Sequence, residues 1–143
     1  MHALVLGAGR MGRAAAWDLA RQPGVELVRL VDRDPAPLVA AEHEVAALLL
    51  AGSHERRAKL ETERSDLEDT LGLAALLEKF DVALSAADYR FNEPLTRAAI
   101  EAGTHLCDLG GNLFGETAVP LDEFVTAVRA RGIDIRERWE DRA

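Results

Sequence analysis

An apolar run, Ala3-Leu-Val-Leu6, passes without transition into Gly7-Ala-Gly-Arg-Met-Gly12, and an alanine-rich stretch follows at once. A short run of apolar residues ended by glycine is expected of a central parallel strand buried on both faces. The glycines that follow each answer a steric demand: Gly7 a tight turn, Gly9 a close approach of backbone to a bound group, Gly12 close packing of helix on strand. A helix running to about Arg21, stopped by Gln22-Pro-Gly24, and a strand from Val25 to Val31 complete one βαβ unit in about thirty residues.

The end of that second strand carries the next constraint. Asp32 lies twenty positions beyond Gly12, the spacing at which an acid meets the ribose hydroxyls of a dinucleotide held on the glycine turn. The backbone N–H groups of Arg10, Met11 and Gly12, at the positive end of the helix, are then expected to hold a pyrophosphate, with Gly7, Ala8 and Gly9 forming the turn beneath it. The expected ligand is a nicotinamide dinucleotide. A carboxylate at Asp32 repels a 2′-phosphate and favours NAD over NADP, whereas Arg33 offers a guanidinium that stacks on adenine, pairs with a 2′-phosphate, or stays solvated. A glycine turn with an acid after the second strand is also compatible with an S-adenosylmethionine site, or with a site that binds nothing.

Downstream the alternation of strand and helix continues. Asp34-Pro35 starts a second helix, with Asp34 as N-cap and Pro35 at the first helical position, and Gly52 is expected to end it. Ala58, Leu60 and Thr62 alternate with Lys59 and Glu61, an edge-strand pattern. A third helix from about Leu71 to Lys79 presents Leu73, Leu76, Leu77 and Phe80 to the sheet, and Val82 to Ser85 is a fourth strand. Asn92 caps a fourth helix over Glu93–Ala102, closed by Gly103 before a fifth strand, Thr104–Asp108. A fifth helix carrying Leu121, Phe124, Val125 and Val128 and a sixth strand at Ile133–Ile135 complete the pattern. The expected architecture is α/β, a doubly wound parallel sheet of the NAD(P)-binding Rossmann type in the order 3-2-1-4-5-6. Residues 1–135 form that domain and residues 136–143 a charged C-terminal tail.

Further site residues follow from strand ends. Asp66, just past the third strand, is placed either at the adenine edge or as a helix cap. Ser85, Ala86 and Ala87 offer small side chains beside the pyrophosphate and ribose, where bulk would block the cleft. Cys107 and His105 share one face of the fifth strand and are expected to pack against a helix rather than to act as nucleophile and base. Trp17 and Trp139 read as half-buried packing residues.

Composition limits the partners. The formal net charge is −8, with acids and bases interspersed, so no basic face is expected to meet nucleic acid. One cysteine and four histidines without ligand spacing predict no metal centre. The longest apolar run, Val45–Ala51, is too short for a bilayer and the amino terminus reads as a core strand rather than a signal peptide, so the expected location is cytoplasmic.

The chain resembles the amino-terminal cofactor domain of the saccharopine dehydrogenase and lysine 6-dehydrogenase family. The matching stretches are Val5–Ala16, Leu30-Val-Asp-Arg-Asp-Pro35, Asp81–Ala86, and Asn92-Glu-Pro-Leu95 through Ala98-Ala-Ile-Glu-Ala-Gly-Thr-His105 to Asp108-Leu-Gly-Gly-Asn112. That resemblance implies oxidation of an amine, typically a lysine derivative, linked to a pyridine nucleotide, with Asp108 and Gly110 beside the nicotinamide. Family members continue into a substrate and dimerisation domain, where this chain has only a charged octapeptide, so no catalytic residue is assigned within it. A non-enzymatic NAD(H)-sensing regulatory domain is the alternative. The sheet edge at Ile133–Ile135, with Leu113, Phe114 and Val119, is expected to be covered in a homodimer, or else by the tail through Trp139.

Overall fold

The computed structural model describes residues 1–52 and 58–109. Within them five strands and four α-helices alternate: β1 (His2–Leu6), α1 (Arg10–Ala20), β2 (Leu27–Asp32), α2 (Pro35–Ala51), β3 (Lys59–Arg64), α3 (Thr70–Leu77), β4 (Val82–Ser85), α4 (Asn92–Ala102) and β5 (His105–Asp108), with a 3₁₀ turn at Tyr89–Phe91 ahead of α4. All pairings are parallel and the sheet order is β3-β2-β1-β4-β5. This is the expected doubly wound α/β sheet, whose central strand β1 is fully buried from Ala3 to Leu6. The fifth helix, sixth strand, charged tail, Gly110, Trp139 and the apolar residues expected at a dimer contact lie outside the described residues.

Side chains alternate across the sheet into two cores. Ala3, Val5, Val28 and Leu30 pack with Ala16 and Ala20 of α1 and with Leu38, Ala41, Val45 and Leu49 of α2. Leu4, Leu6, Val31 and Ala83 pack on the other face with Leu73, Leu76, Leu77 and Phe80 around α3 and with Leu95, Ala98 and Ala99 of α4. Every apolar residue expected on the inner face of α3 is therefore buried. Of the Leu48-Leu-Leu50 run only Leu49 reaches the sheet, while Leu48 and Leu50 are exposed, as a 100° step per residue requires.

Where α3 does not reach, charge covers the sheet. Arg29 on β2 meets Glu61 at 2.7 Å and Glu63 at 2.9 Å on β3, and Lys59 meets Glu61 at 2.7 Å. Lys59 first, and Arg29 after it, hold the Glu61 carboxyl below the usual carboxylate range against a smaller opposing effect of desolvation. These ladders protect the edge strand that the alternation of Lys59 and Glu61 predicts.

Several local expectations are corrected. Val25 is buried but precedes β2, held in a turn by Gln22 O, with Gly24 at φ 87°. Asp34 occupies the N-cap position of α2 without donating or accepting a side-chain cap bond, and Gly52 ends that helix in an extended conformation, φ −86° and ψ 146°, rather than a left-handed one. Asn92 is the first residue of α4, not its cap, because the 3₁₀ turn before it supplies the entry and Phe91 is the N-cap. Gly103 closes α4 in the left-handed conformation expected of it, φ 71°. His105 and Cys107 are exposed rather than packed beneath a helix. They share the face of Leu84, on the α1 side, where among the described residues α1 and α2 pack over β1 to β3.

Candidate functional site

The carboxyl ends of β1 to β4 converge on a cleft of about 290 Å3, lined by Gly7, Gly9, Asp32, Arg33, Asp66, Leu67, Ala86, Ala87, Asp88, Arg90 and Phe91. Seven of these, Gly7, Gly9, Asp32, Arg33, Asp66, Ala86 and Ala87, are residues the sequence singled out. They come from four strand ends and meet only because the sheet is parallel, which puts every strand-to-helix turn at the same edge.

The three glycines at its floor differ in what the protein asks of them. Gly7 has φ 100°, and a Cβ there would sit 3.0 Å from the carbonyl oxygen of Ala86, so the turn itself requires glycine. A Cβ on Gly12 would overlap the carbonyl oxygen of Gly7, so α1 lies against the turn only without a side chain. Gly9 is unlike both. Its backbone, φ −64° and ψ −174°, suits any residue, and a Cβ there would meet no atom within 4 Å. The space above Gly9 is open cleft, and it faces the start of α1.

The amides of Arg10, Met11 and Gly12 belong to the first turn of α1 and have no carbonyl four residues back within the helix. The side chains of Arg10 and Met11 are exposed at the rim. Ala8 plays another part than expected. It is buried and its N–H donates to Asp32 Oδ2 at 2.8 Å, so that amide is already satisfied within the protein. Asp32 Oδ1 accepts the N–H of Asp34 at 3.0 Å, and Gly7 N–H donates to Val31 O at 2.8 Å. The carboxylate thus ties the end of β2 to the glycine turn as well as lining the cleft.

Beyond Asp32, Arg33 lines the same wall, and among the described residues its guanidinium has no ion pair; Arg64 Nε donates to the Arg33 carbonyl at 2.9 Å. Asp66 does not cap α3. Its Oδ1 accepts the N–H of Glu68 at 3.0 Å in a turn, while Asp69 caps the helix through the N–H of Gly72 at 3.1 Å. Ser85 is buried below the cleft with its Oγ unpaired among the described residues, and Ala86 N–H donates to Leu6 O at 2.8 Å. Asp108 pairs in register with Ser85 at the exposed end of β5. It lies outside the cleft wall, as do Ala8, Arg10, Met11, Gly12 and Ser85.

Four lining residues escaped the sequence reading: Leu67, Asp88, Arg90 and Phe91. Asp88 Oδ1 accepts the N–H of Arg90 at 3.1 Å and stands 3.7 Å from its Nε, and the Arg90 guanidinium lies 5.2 Å from the centre of the Phe91 ring. The one signal available was Asp-Tyr-Arg-Phe-Asn, an acid two residues before a basic and aromatic pair; an Asx turn follows from it, its position over the cleft does not. Among the described residues no group of three His, Cys, Asp or Glu side chains is placed to hold a metal, and no helix is long and apolar enough to cross a membrane.

Comparison with known proteins agrees with this layout. The fold is similar to that of the saccharopine dehydrogenase (L-Glu forming) of Saccharomyces cerevisiae, with a TM-score of 0.60 and 18% identity over 87% of this chain and 23% of that one. It is also similar to scyllo-inositol dehydrogenase from Lactobacillus casei, solved with bound NAD(H) and scyllo-inositol, with a TM-score of 0.51 and 19% identity over 76% of this chain and 27% of that one. Shikimate dehydrogenase of Mycobacterium tuberculosis matches with a TM-score of 0.50 and 22% identity over 75% of this chain and 45% of that one. The chain spans less than half the length of each. The sequence model of the saccharopine dehydrogenase NADP binding domain matches residues 3–142, and the chain belongs to that family of nicotinamide-dinucleotide-binding Rossmann domains.

Proposed function

We propose that the cleft holds a nicotinamide dinucleotide with its pyrophosphate over Gly9, on the amides that open α1, and that the domain is the cofactor half of an oxidoreductase acting on an amine or amino acid. The observation that carries the reading is Gly9. Neither its backbone angles nor its surroundings in the protein require glycine, yet a side chain there would fill the space in which an anion meets the helix N-terminus. The bare turn fits a pyrophosphate, and Asp32, at the adjoining strand end, faces the cleft where a ribose would lie. A dinucleotide held there by the amides that open α1 and by Asp32 would supply hydride transfer for oxidation of a substrate.

For the choice of cofactor, the structure favours the reading that the sequence ranked second. Both oxygens of Asp32 already accept backbone N–H groups, which spreads part of its charge into the turn. Arg33 lines the cleft beside it with no ion pair among the described residues, which supports a 2′-phosphate and therefore NADP(H). The family's own description supports the same choice. Calorimetric titration of the whole chain with NADPH, NADH and S-adenosylmethionine tests the reading. The expected result is binding of both dinucleotides, NADPH the tighter, and none of S-adenosylmethionine. Binding of S-adenosylmethionine alone, or of nothing, overturns it. Oxidation of amines from a panel, followed at the reduced nicotinamide, then separates an enzyme from a domain that only senses the nucleotide.

A further inference from the structure

Resting on the dinucleotide reading, we infer that Arg90 is a ligand-binding residue of this chain: its guanidinium, beside Phe91, is a stacking wall for the adenine ring. β3 and β4 are separated by β2 and β1 in the sheet, so their ends lie about 14 Å apart at a strand spacing of 4.7–4.9 Å. Yet Asp66, just past β3, lines one cleft with Arg90 and Phe91, which follow β4. The turn after β3 and the segment after β4 therefore share one cleft over the ends of β1 and β2, with Arg33 and Arg90 both in its lining.

The two arginines differ in what they have left to offer. Arg90 is held from two sides, its Nε 3.7 Å from Asp88 Oδ1 and its guanidinium 5.2 Å from the Phe91 ring centre. Asp88 and the Phe91 ring flank an exposed guanidinium, which is itself a flat and weakly hydrated cation. A planar base stacks on such a surface. Arg33, which has no carboxylate partner among the described residues, is the group suited to a phosphate. The segment's own geometry does not depend on that ligand: Asp88 caps the 3₁₀ turn through the Arg90 N–H, which sets the backbone from which the side chain projects.

The test compares Arg90→Ala, Arg90→Lys and Arg90→Tyr in the whole chain, by titration with NADPH, NADH and ADP-ribose and by melting temperature. A stacking wall predicts that Arg90→Ala weakens all three ligands alike, by roughly five- to tenfold. Arg90→Lys keeps the charge without the plane and does not recover the loss, while Arg90→Tyr keeps a plane without the charge and recovers most of it. A loss confined to NADPH, full recovery by lysine, or unchanged affinity in Arg90→Ala overturns the proposal and leaves the dinucleotide reading standing. A parent that binds none of the three overturns both.

Discussion

Between β1 and α1 the chain turns on Gly7, Ala8 and Gly9; between β4 and α4 it turns on Asp88, Tyr89, Arg90 and Phe91. Both segments sit at the same edge of the sheet and line one cleft, but one presents backbone and the other side chains. The first is rigid because nothing else fits: Gly7 is in a left-handed conformation against Ala86, and Gly12 is pressed on the Gly7 carbonyl. The second takes its shape from a side chain, Asp88, which accepts the Arg90 backbone N–H, and carries the Arg90 guanidinium beside the Phe91 ring. The amides that open α1 beside the first turn suit a charge common to many nucleotides, whereas the side chains of the second suit a flat ring.

The largest effect expected is on the backbone turn. In Gly12→Ala the added methyl overlaps a main-chain oxygen that has no rotamer by which to move away, so stability should fall by about 3 kcal/mol. That corresponds to roughly 10 °C in melting temperature. A melt within a degree of the parent would break the distinction drawn between Gly12 and Gly9.

Gly9→Val should do the reverse, with its melt near the parent and its affinity for NADPH lowered a hundredfold or more. Two or more charge-assisted hydrogen bonds at about 1.5–3 kcal/mol each are blocked by the isopropyl group. Unchanged calorimetric titration would mean that the pyrophosphate lies elsewhere.

Asp32→Asn keeps an oxygen for the Ala8 N–H and removes the charge beside Arg33. The ratio of NADH to NADPH dissociation constants should rise by roughly fivefold. No movement in that ratio would show that the acid takes no part in choosing the cofactor.

Asp88→Ala removes the cap of the 3₁₀ turn and the partner of Arg90. The expected cost is about 1 kcal/mol of stability, read from the denaturant midpoint, with a loosening of adenosine ligands smaller than that of Arg90→Ala. A loss larger than that of Gly12→Ala would reverse the ranking of the two turns.

The smallest effect lies away from both. Because Lys59 and Arg29 hold the Glu61 carboxyl below its ordinary value, its contribution is complete above the unfolded value of about 4.3 and disappears as pH falls through the lower folded one. Glu61→Gln should flatten the stability profile in that acid window and leave nucleotide titrations at neutral pH unchanged. An identical acid profile for the variant would show that the ladder contributes nothing there.

The βαβ unit was legible because its signals are local. An apolar run, three glycines at set spacing and an acid at the next strand end specify strand, turn and helix without reference to the rest of the chain, and the edge character of β3 followed from the alternation of Lys59 and Glu61. Errors fell where two candidates for one role stood a few residues apart. Asp66 and Asp69 both precede α3, and only Asp69 accepts an N–H of that helix, from Gly72 three residues on; Asn92 lost its cap role to a 3₁₀ turn that Asp88 starts.

The positions of strands and helices, the glycine turn and an acid at the end of the next strand were determined by the sequence itself, since periodicity and backbone sterics act over a few residues. Which atoms of that turn are spoken for was decided only in three dimensions. The Ala8 amide is consumed by Asp32, twenty-four residues away, Arg33 is left without a carboxylate partner among the described residues, and Arg90 is brought to the same cleft as Asp66. These facts depend on distances between chain segments far apart in sequence. Such distances are set by how helices of particular length pack on a twisted sheet, and no local pattern of residues encodes them.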